Sequence, residues 1–178
     1  MKYSKINPTS VANGPGVRVA LFVSGCTHRC KGCFNDIAWD FNHGEEFNQD
    51  TIDKIIKLLD HNYIAGLTLL GGEPFEKQNQ PEVLNLVKQV RCMFPNKSIW
   101  AYSGYTYEQI TSYETGADKG VTDELLSHID VLVDGEFDES LKYPLGYKFK
   151  GSRNQRIIDL PTTLETGEIH LSIHEVKD

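Results

Sequence analysis

The sequence has no long hydrophobic run, no long block of basic residues and no low-complexity segment. No apolar stretch approaches the length of about 20 residues that spans a bilayer. Met1-Lys-Tyr-Ser is not followed by the apolar region of a secretion signal. The net charge of −7 argues against nucleic acid as the main partner. Together these absences predict a cytoplasmic protein with no membrane segment, and 178 residues suffice for one domain, 1–178, with a real core.

Cysteine is also scarce, but its placement is informative. The chain has four cysteines, and Cys26, Cys30 and Cys33 lie within eight positions of one another. Three thiolates this close can wrap one compact inorganic core, and a core with no fourth protein ligand suits a reactive iron–sulfur cluster. The remaining cysteine, Cys92, falls in an apolar helical stretch and is predicted to be a small buried hydrophobic residue.

Other interpretations of the cysteines stay open at this point. His28 could complete a structural Cys3His zinc site, although such sites usually tie together separated pairs of ligands. Disulfides would leave one thiol over and have no secretion signal to support them. A redox pair of Cys30 and Cys33 would leave Cys26 unexplained.

Apolar and amphipathic segments alternate along the chain, as in repeated strand–helix units that build a parallel sheet. We predict strands at Val17–Val23, Gly66–Leu70, Ser98–Tyr102 and Ile129–Val133. Helices are predicted at Asp50–Leu59, at Glu82–Met93 with Pro81 in its first turn, and at Thr122–His128 with Thr122 as N-cap. Asn154–Asp159 and Glu168–His174 are further candidate strands. Whether Tyr3–Pro8 docks on the core or frays stays open.

A second motif, Gly71-Gly72-Glu73-Pro74, follows the predicted strand Gly66–Leu70 directly. Ligands of parallel sheets bind just beyond the carboxyl ends of strands. Two glycines let the backbone approach a ligand closely, and carbonyl and carboxylate oxygens there can accept hydrogen bonds from an ammonium group. Alone, the motif is also compatible with an ordinary strand-to-helix turn.

The cysteine spacing and the Gly-Gly-Glu run together resemble the radical S-adenosylmethionine (SAM) enzymes. The resemblance implies a [4Fe-4S] cluster on Cys26, Cys30 and Cys33, whose unclaimed iron chelates SAM, and it implies that Gly71–Glu73 bind the SAM amino group. The fold it implies is α/β, a truncated, open (β/α) partial barrel of about five or six mostly parallel strands. An external one-electron donor such as flavodoxin or ferredoxin would reduce the cluster, and no catalytic side chain is needed beyond the cluster ligands.

Two further runs narrow the resemblance. Asn13-Gly14-Pro15-Gly16-Val17-Arg18 is similar to a segment of the glycyl-radical activating enzymes. The form Cys-x-His-x-Cys-x-Gly-Cys, with His28 and Gly32, resembles the anaerobic ribonucleoside-triphosphate reductase activating proteins. That family implies hydrogen abstraction from a glycine of the reductase's glycyl-radical subunit. The alternatives are a small radical SAM enzyme acting on a metabolite, like the deazapurine-forming synthases, and a non-catalytic zinc-binding interaction module.

The resemblance also places Gly32, Cys33 and Phe34 at the cofactor. Phe34 could stack on adenine or pack in the core. Ser103 and Asp134 lie at predicted strand ends, so we expect them at the same ligand edge, where they could contact the SAM ribose or the attacked peptide. For Asp134 the alternative is an ordinary turn residue before Gly135.

Charge and hydrogen-bonding capacity add two weaker expectations. Arg18, Arg29 and Lys31 surround the cysteine motif with positive charge that could receive an acidic electron donor or hold the SAM carboxylate, or could simply be solvated. The run 151–156 offers many hydrogen-bond donors that could grip a peptide backbone. A solvated loop is the alternative for that run.

Overall fold

A computed structural model describes residues 1–143 and 149–175 as a single seven-stranded sheet with helices on one face. In chain order the strands are β1 (Lys2–Ser10), β2 (Val17–Val23), β3 (Glu45–Glu46), β4 (Ile64–Gly71), β5 (Ser98–Tyr102), β6 (Val131–Asp134) and β7 (Arg156–Asp159). Their spatial order is β3-β1-β2-β4-β5-β6-β7. The four central strands, β2, β4, β5 and β6, are parallel, and the pairings outside them are antiparallel. The predicted open α/β sheet is therefore confirmed, with one strand more than expected.

The three predicted helices are present, together with two short ones. In chain order the helices are α1 (Gln49–Leu59), α2 (Gln80–Met93), α3 (Tyr107–Thr111), α4 (Lys119–His128) and α5 (Leu160–Thr166), with 3-10 turns at Asp36–Trp39 and Glu139–Leu141. The two short helices, α3 and α5, were not predicted. Pro81 occupies the first turn of α2, where its missing N–H costs nothing. No helix in residues 1–143 and 149–175 combines the length and the apolar character needed to cross a bilayer.

The amino-terminal segment forms an edge strand. β1 pairs antiparallel with β2, with Tyr3 opposite Val23. The Tyr3 ring is buried and its hydroxyl donates to Glu45 at 2.6 Å. Tyr3–Pro8 therefore docks on the sheet, although its sequence lacks the alternation that would have predicted it.

Alternate residues of the central strands face two different environments, as the twofold repeat of a strand requires. One set packs into the large core beneath the helices, and it includes Leu21, Leu69, Ile99 and Leu132. The other set faces the concave side of the sheet and forms two small apolar groups that share the partly buried Tyr102. Loop residues rather than helices lie over this concave side, so it is where a ligand can enter.

Arg18 lies on the concave side, fully buried, and not at the cysteine motif. Its Nε donates to Thr68 Oγ1 at 2.7 Å, and its Nη2 donates to the carbonyls of Leu67 and Ser98 at 2.7 and 2.9 Å. Burial lowers the pKa of its guanidinium to about 10. The expectation that Arg18 adds charge beside the cluster is wrong, because its donors join β2, β4 and β5 instead.

Three local predictions are corrected by the packing. Asp118, not Thr122, caps α4, and the buried Thr122 hydroxyl donates to Gln80 at 2.8 Å. Glu168–His174 makes a single bridge to β7, between Leu171 and Ile158, and is not a strand. Cys92 is exposed, since it lies two positions beyond the buried Val90 and so points away from the core face of α2.

We expect Arg18→Met to destabilise the fold by about 3 kcal/mol or more, because it leaves several buried acceptors without a donor. The measurement is the midpoint of urea unfolding. Lys54→Met, on the exposed surface of α1, is the control and should change stability by less than about 0.5 kcal/mol. An Arg18→Met protein as stable as the control would contradict the assigned cross-strand role.

Candidate cluster and cofactor site

A cavity of about 350 Å³ opens at the carboxyl ends of the parallel strands. Its lining is mainly apolar, and it brings together most of the residues that the sequence predicted for the site. These are Cys26, Cys30, Gly32, Cys33, Phe34, Gly71, Gly72, Glu73 and Ser103. Asp134 is the one predicted site residue that is not part of the lining.

The cysteine loop leaves β2 through a sharp turn at Gly25. Gly25 has φ +97°, and a Cβ there would lie 2.1 Å from the Phe41 ring, so only glycine fits. The turn is held by main-chain bonds from Gly25 N–H to Ala38 O at 2.8 Å and from Cys26 N–H to Trp39 O at 3.2 Å. The start of the loop is therefore fixed by the backbone, before any metal binds.

The three thiols differ in their surroundings. Cys26 is buried, whereas Cys30 and Cys33 are half-buried. Burial, with the nearby Glu73 carboxylate adding to it, raises the pKa of Cys26 to about 12. Burial likewise raises the pKa of Cys30 to about 11. A cationic centre beside these two thiols, such as iron, would favour their deprotonated form.

A single ion and a cluster make different geometric demands on three thiols. Within residues 1–143 and 149–175, no three histidine, cysteine or acidic side chains already stand in the arrangement of a single-ion site. Thiolates around one zinc must all come within about 2.3 Å of one point. In a [4Fe-4S] cluster each thiolate binds a different iron, so the sulfurs lie farther apart.

His28 lies beside the Glu73 carboxylate rather than completing a Cys3His site. Its Nε2 lies 3.3 Å from Glu73 Oε2, without the alignment of a hydrogen bond. The ring packs edge-on against Tyr105 with a centroid distance of 4.3 Å, and Gly104 leaves room for it. Burial lowers the pKa of His28, but Glu73 and other carboxylates outweigh that effect and raise it overall.

Glu73 is the buried centre of the Gly-Gly-Glu turn. Its Oε1 accepts from Phe75 N–H and from the Ser103 hydroxyl, both at 2.9 Å, and its Oε2 accepts from Gly104 N–H at 2.7 Å. The carboxylate thus joins the turn after β4 to the turn after β5. Ser103, predicted as a ligand contact, is one of the donors to this carboxylate.

The two glycines of this turn pack against the cysteine loop. A Cβ on Gly72 would lie 2.5 Å from Gly25 O, and one on Gly71 would lie 2.6 Å from Phe22 Cα. Glu73 N–H donates to Gly25 O at 2.8 Å. Close approach of backbone to backbone therefore requires these glycines, in addition to any approach of a ligand.

Two anchoring residues were missed by sequence reasoning. Glu76 Oε1 accepts from both Thr27 N–H at 2.7 Å and Thr27 Oγ1 at 2.6 Å. Asn79 Nδ2 donates to Ser24 O at 3.0 Å and to Glu73 O at 2.9 Å. Both residues lie a few positions after the Gly-Gly-Glu run. Two polar side chains so soon after a predicted ligand-binding motif were the feature of the sequence that could have identified them.

Asp134 is an ion-pair partner. The Arg156 guanidinium donates to both its carboxylate oxygens, and Tyr107 N–H donates to Oδ2 at 2.7 Å. Arg156 also binds Glu108, which holds the pKa of that carboxyl at about 2. Asp134 does not line the cavity, and its contact with the SAM ribose or with the attacked peptide stays a prediction.

The segment 151–156 is held by hydrogen bonds, although Gly151, Arg153 and Asn154 are exposed to solvent. Gln155 accepts from Gly151 N–H at 2.7 Å and donates to Gly135 O at 2.9 Å. Asn154 donates to Glu136 O at 2.7 Å. Gly151 and Gln155 line the cavity, so this segment forms part of its wall.

The outer rim of the cavity is formed by the end of the cysteine loop. Phe34 lies there with 82% of its surface exposed, so the alternative of core packing for this residue is wrong. Arg29 is exposed, and Lys31 pairs at 3.4 Å with Glu139 across the rim. Two of the three predicted cations, Arg29 and Lys31, therefore do place positive charge on the surface around the loop.

Comparison with known proteins agrees with this geometry. Residues 12–158 match the family described as 4Fe-4S single cluster domain. The anaerobic ribonucleoside-triphosphate reductase-activating protein of Enterobacteria phage T4 is 40% identical over 157 residues, covering 88% of this chain and 93% of that protein. Those of Vibrio cholerae serotype O1 and Escherichia coli K12 are 42% and 38% identical, covering 88% and 87% of this chain and 97% and 96% of their own.

This chain belongs to the anaerobic ribonucleoside-triphosphate reductase-activating protein family. The matched residues 12–158 include the cysteine loop, the Gly-Gly-Glu turn and all four parallel strands. The 4Fe-4S description of the family fits the three thiols that line one cavity.

We predict that Glu76→Ala lowers the iron content after anaerobic reconstitution by half or more. The change removes a carboxylate that accepts two hydrogen bonds from Thr27, each of the stronger, charge-assisted kind. The measurement is iron per chain after gel filtration. Glu165→Ala, exposed on α5, is the control, and equal iron in the two variants would show that Glu76 does not hold the loop.

Proposed function

We propose that this protein is a radical SAM activase that installs a glycyl radical on anaerobic ribonucleoside-triphosphate reductase. The observation that carries the proposal is the meeting of two motifs in one cavity. The Cys-x3-Cys-x2-Cys loop and the Gly-Gly-Glu turn line the same space, and they are joined by the bond from Glu73 N–H to Gly25 O. The relatives named above carry the corresponding activity in their names.

Cys26, Cys30 and Cys33 would hold the cluster at one end of the cavity. A reduced cluster held by these thiolates would supply the electron for cleavage of SAM. The surrounding protein orients the cofactor and keeps water out, which is the usual division of labour in cofactor enzymes. The mainly apolar lining of the cavity supports that shielding role.

The SAM amino group is assigned to the Gly-Gly-Glu turn. Glu73 Oε2 has Gly104 N–H as its hydrogen-bond donor among the described residues and keeps a lone pair toward His28. An ammonium group entering beside Gly71 and Gly72 would meet this buried negative charge together with main-chain carbonyls. Gly32 and Phe34 are assigned to contact the cofactor from the opposite side, at the rim of the cavity. Ser103 is assigned to hold the Glu73 carboxylate in place.

The substrate is assigned to the open side of the sheet. A complete eight-unit barrel needs about 250 residues, whereas this sheet ends at β3 and β7 without closing among the residues described. A loop from a partner protein can complete such a cavity, and glycine, which has no side chain, lets its α-carbon come close. The residues of this chain need not supply an acid or a base for hydrogen abstraction.

The proposed activity also implies a domain organisation, a cellular location and an electron donor. We place residues 1–178 as one radical SAM domain in the cytoplasm, reduced by a one-electron donor such as flavodoxin or ferredoxin. Arg29 and Lys31 at the rim offer positive charge to an acidic donor of that kind.

The test is release of 5′-deoxyadenosine. The protein is purified anaerobically, reconstituted with iron and sulfide, reduced and given SAM. We expect 5′-deoxyadenosine from the wild type and from Cys92→Ala, because Cys92 is exposed on α2 and remote from the loop in sequence. Cys30→Ala should abolish release, since it removes one of three ligands.

The outcomes separate the competing functions. Release with the wild type, followed by a glycyl radical on added reductase, supports the activase. Release without any radical on the reductase would favour an enzyme acting on a metabolite, and a colourless zinc protein would favour an interaction module. Equal release from Cys30→Ala and the wild type would contradict the assigned ligand set.

A further inference from the structure

The carboxy-terminal segment 170–175, which we call the strap, runs beside β7, the last strand on that side of the sheet. Two main-chain hydrogen bonds hold it there. Asp159 N–H donates to His170 O, and Ser172 N–H donates to Ile157 O, both at 2.8 Å. The strap is therefore fixed to the sheet edge by its backbone, and its side chains can reach residues beyond β7.

One of those side chains supplies the partner of a buried cation in the cavity wall. Lys150 lines the cavity, with only 3% of its side chain exposed. Its Nζ donates to one oxygen of the Glu175 carboxylate, and the other oxygen accepts from Ile157 N–H at 2.6 Å. A buried ammonium that loses its counter-charge is strongly destabilising. The place of Lys150 in the wall therefore depends on Glu175.

Aromatic rings make a second connection between the strap and the wall. The centroid of the His174 ring lies 5.4 Å from that of the buried Trp100 and 6.1 Å from that of Phe149. Phe149 also contacts Trp100, at 5.5 Å between centroids, and lines the cavity next to Lys150. The strap thus backs two successive wall residues, although none of residues 170–175 lines the cavity itself.

This wall stands where the sheet does not close. Phe149 packs on the concave side against a group that includes Val133 of β6 and Ile157 of β7, and no described strand continues the sheet past β7. Displacement of residues 149–151 would open the cavity to solvent on this side. Small molecules from solvent can donate hydrogen to a radical, and a closed site prevents such side reactions.

We propose that the strap backs the cavity wall against solvent, and that Glu175 is the positioning residue that keeps Lys150 and Phe149 in that wall. The inference rests on the proposed function and adds a shielding element to it. The strap lies beyond residues 12–158, so the family match does not cover it. Glu175 takes no part in electron or hydrogen transfer. Its effect is that the partner's glycine remains the hydrogen donor.

The first measurement is amide hydrogen exchange of the reconstituted Glu175→Ala protein. The change leaves Lys150 without its counter-charge and Ile157 N–H without its acceptor, so exchange across residues 149–157 should become about tenfold faster or more. Glu168→Ala, at an exposed glutamate just before the strap, is the matched control and should leave exchange unchanged. Unchanged exchange in Glu175→Ala would overturn the holding role of Glu175.

The second measurement is the origin of the hydrogen in 5′-deoxyadenosine. Each protein is reduced and given SAM and the intact reductase in heavy water that contains dithiothreitol. Hydrogen taken from the glycine α-carbon leaves the product unlabelled, whereas deuterium taken from the deuterated thiol labels it and leaves a thiyl radical. We expect the labelled fraction to rise about fivefold or more in Glu175→Ala, with SAM affinity and the control unchanged.

A merely structural strap would lower stability or iron content without changing the source of the hydrogen. An unchanged labelled fraction in a variant with faster exchange would therefore overturn the inference. If Glu175→Ala does not retain iron, the same comparison is made with Glu175→Gln, which keeps an acceptor for Ile157 N–H and removes the charge. A wild type that forms no glycyl radical on the reductase would instead contradict the proposed function, and the exchange result would stand apart from it.

Discussion

The site depends on main-chain hydrogen bonds that tie the cysteine loop to the turn after β4. Gly72 N–H donates to Val23 O at 2.7 Å, and Glu73 N–H donates to Gly25 O at 2.8 Å. These contacts demand glycines at close quarters and place a buried carboxylate beside a buried thiol. Burial and this neighbouring carboxylate raise the pKa of the Cys26 thiol, and a bound cationic cluster would offset both effects. The loop is thus positioned by backbone hydrogen bonds.

The rest of the fold serves this arrangement by keeping the concave side of the sheet free of helices. Alternation along the strands sends one set of side chains into the helix-covered core and the other toward the cavity. Arg18 holds three parallel strands together from the concave side, where an apolar residue could not satisfy the same carbonyls. The ion pair of Asp134 and Arg156 joins strands in the same way at the end of β6. The cavity therefore rests on polar ties between strands as well as on apolar packing.

Sequence alone predicted the parts whose chemistry lies in a few neighbouring residues. Cys26, Cys30 and Cys33 and the run Gly71–Glu73 were found because spacing and strand position define them, and Ser98–Tyr102 was found as a buried run. Long-range partnerships could not be found this way. Nothing local in the sequence says that Asp134 meets Arg156 or that His28 meets Glu73. The prediction that Cys92 is buried was wrong, because apolar neighbours in the sequence do not show which face of the helix packs against the core.

The most direct test of the account is the electron paramagnetic resonance spectrum of the reduced, reconstituted protein with and without SAM, together with its metal content. The account predicts a 4Fe-4S cluster on three thiolates, and therefore a spectrum that changes when SAM binds the iron without a protein ligand. Zinc in place of iron, or a cluster spectrum indifferent to SAM, would contradict the central claim that this cavity joins cluster and cofactor.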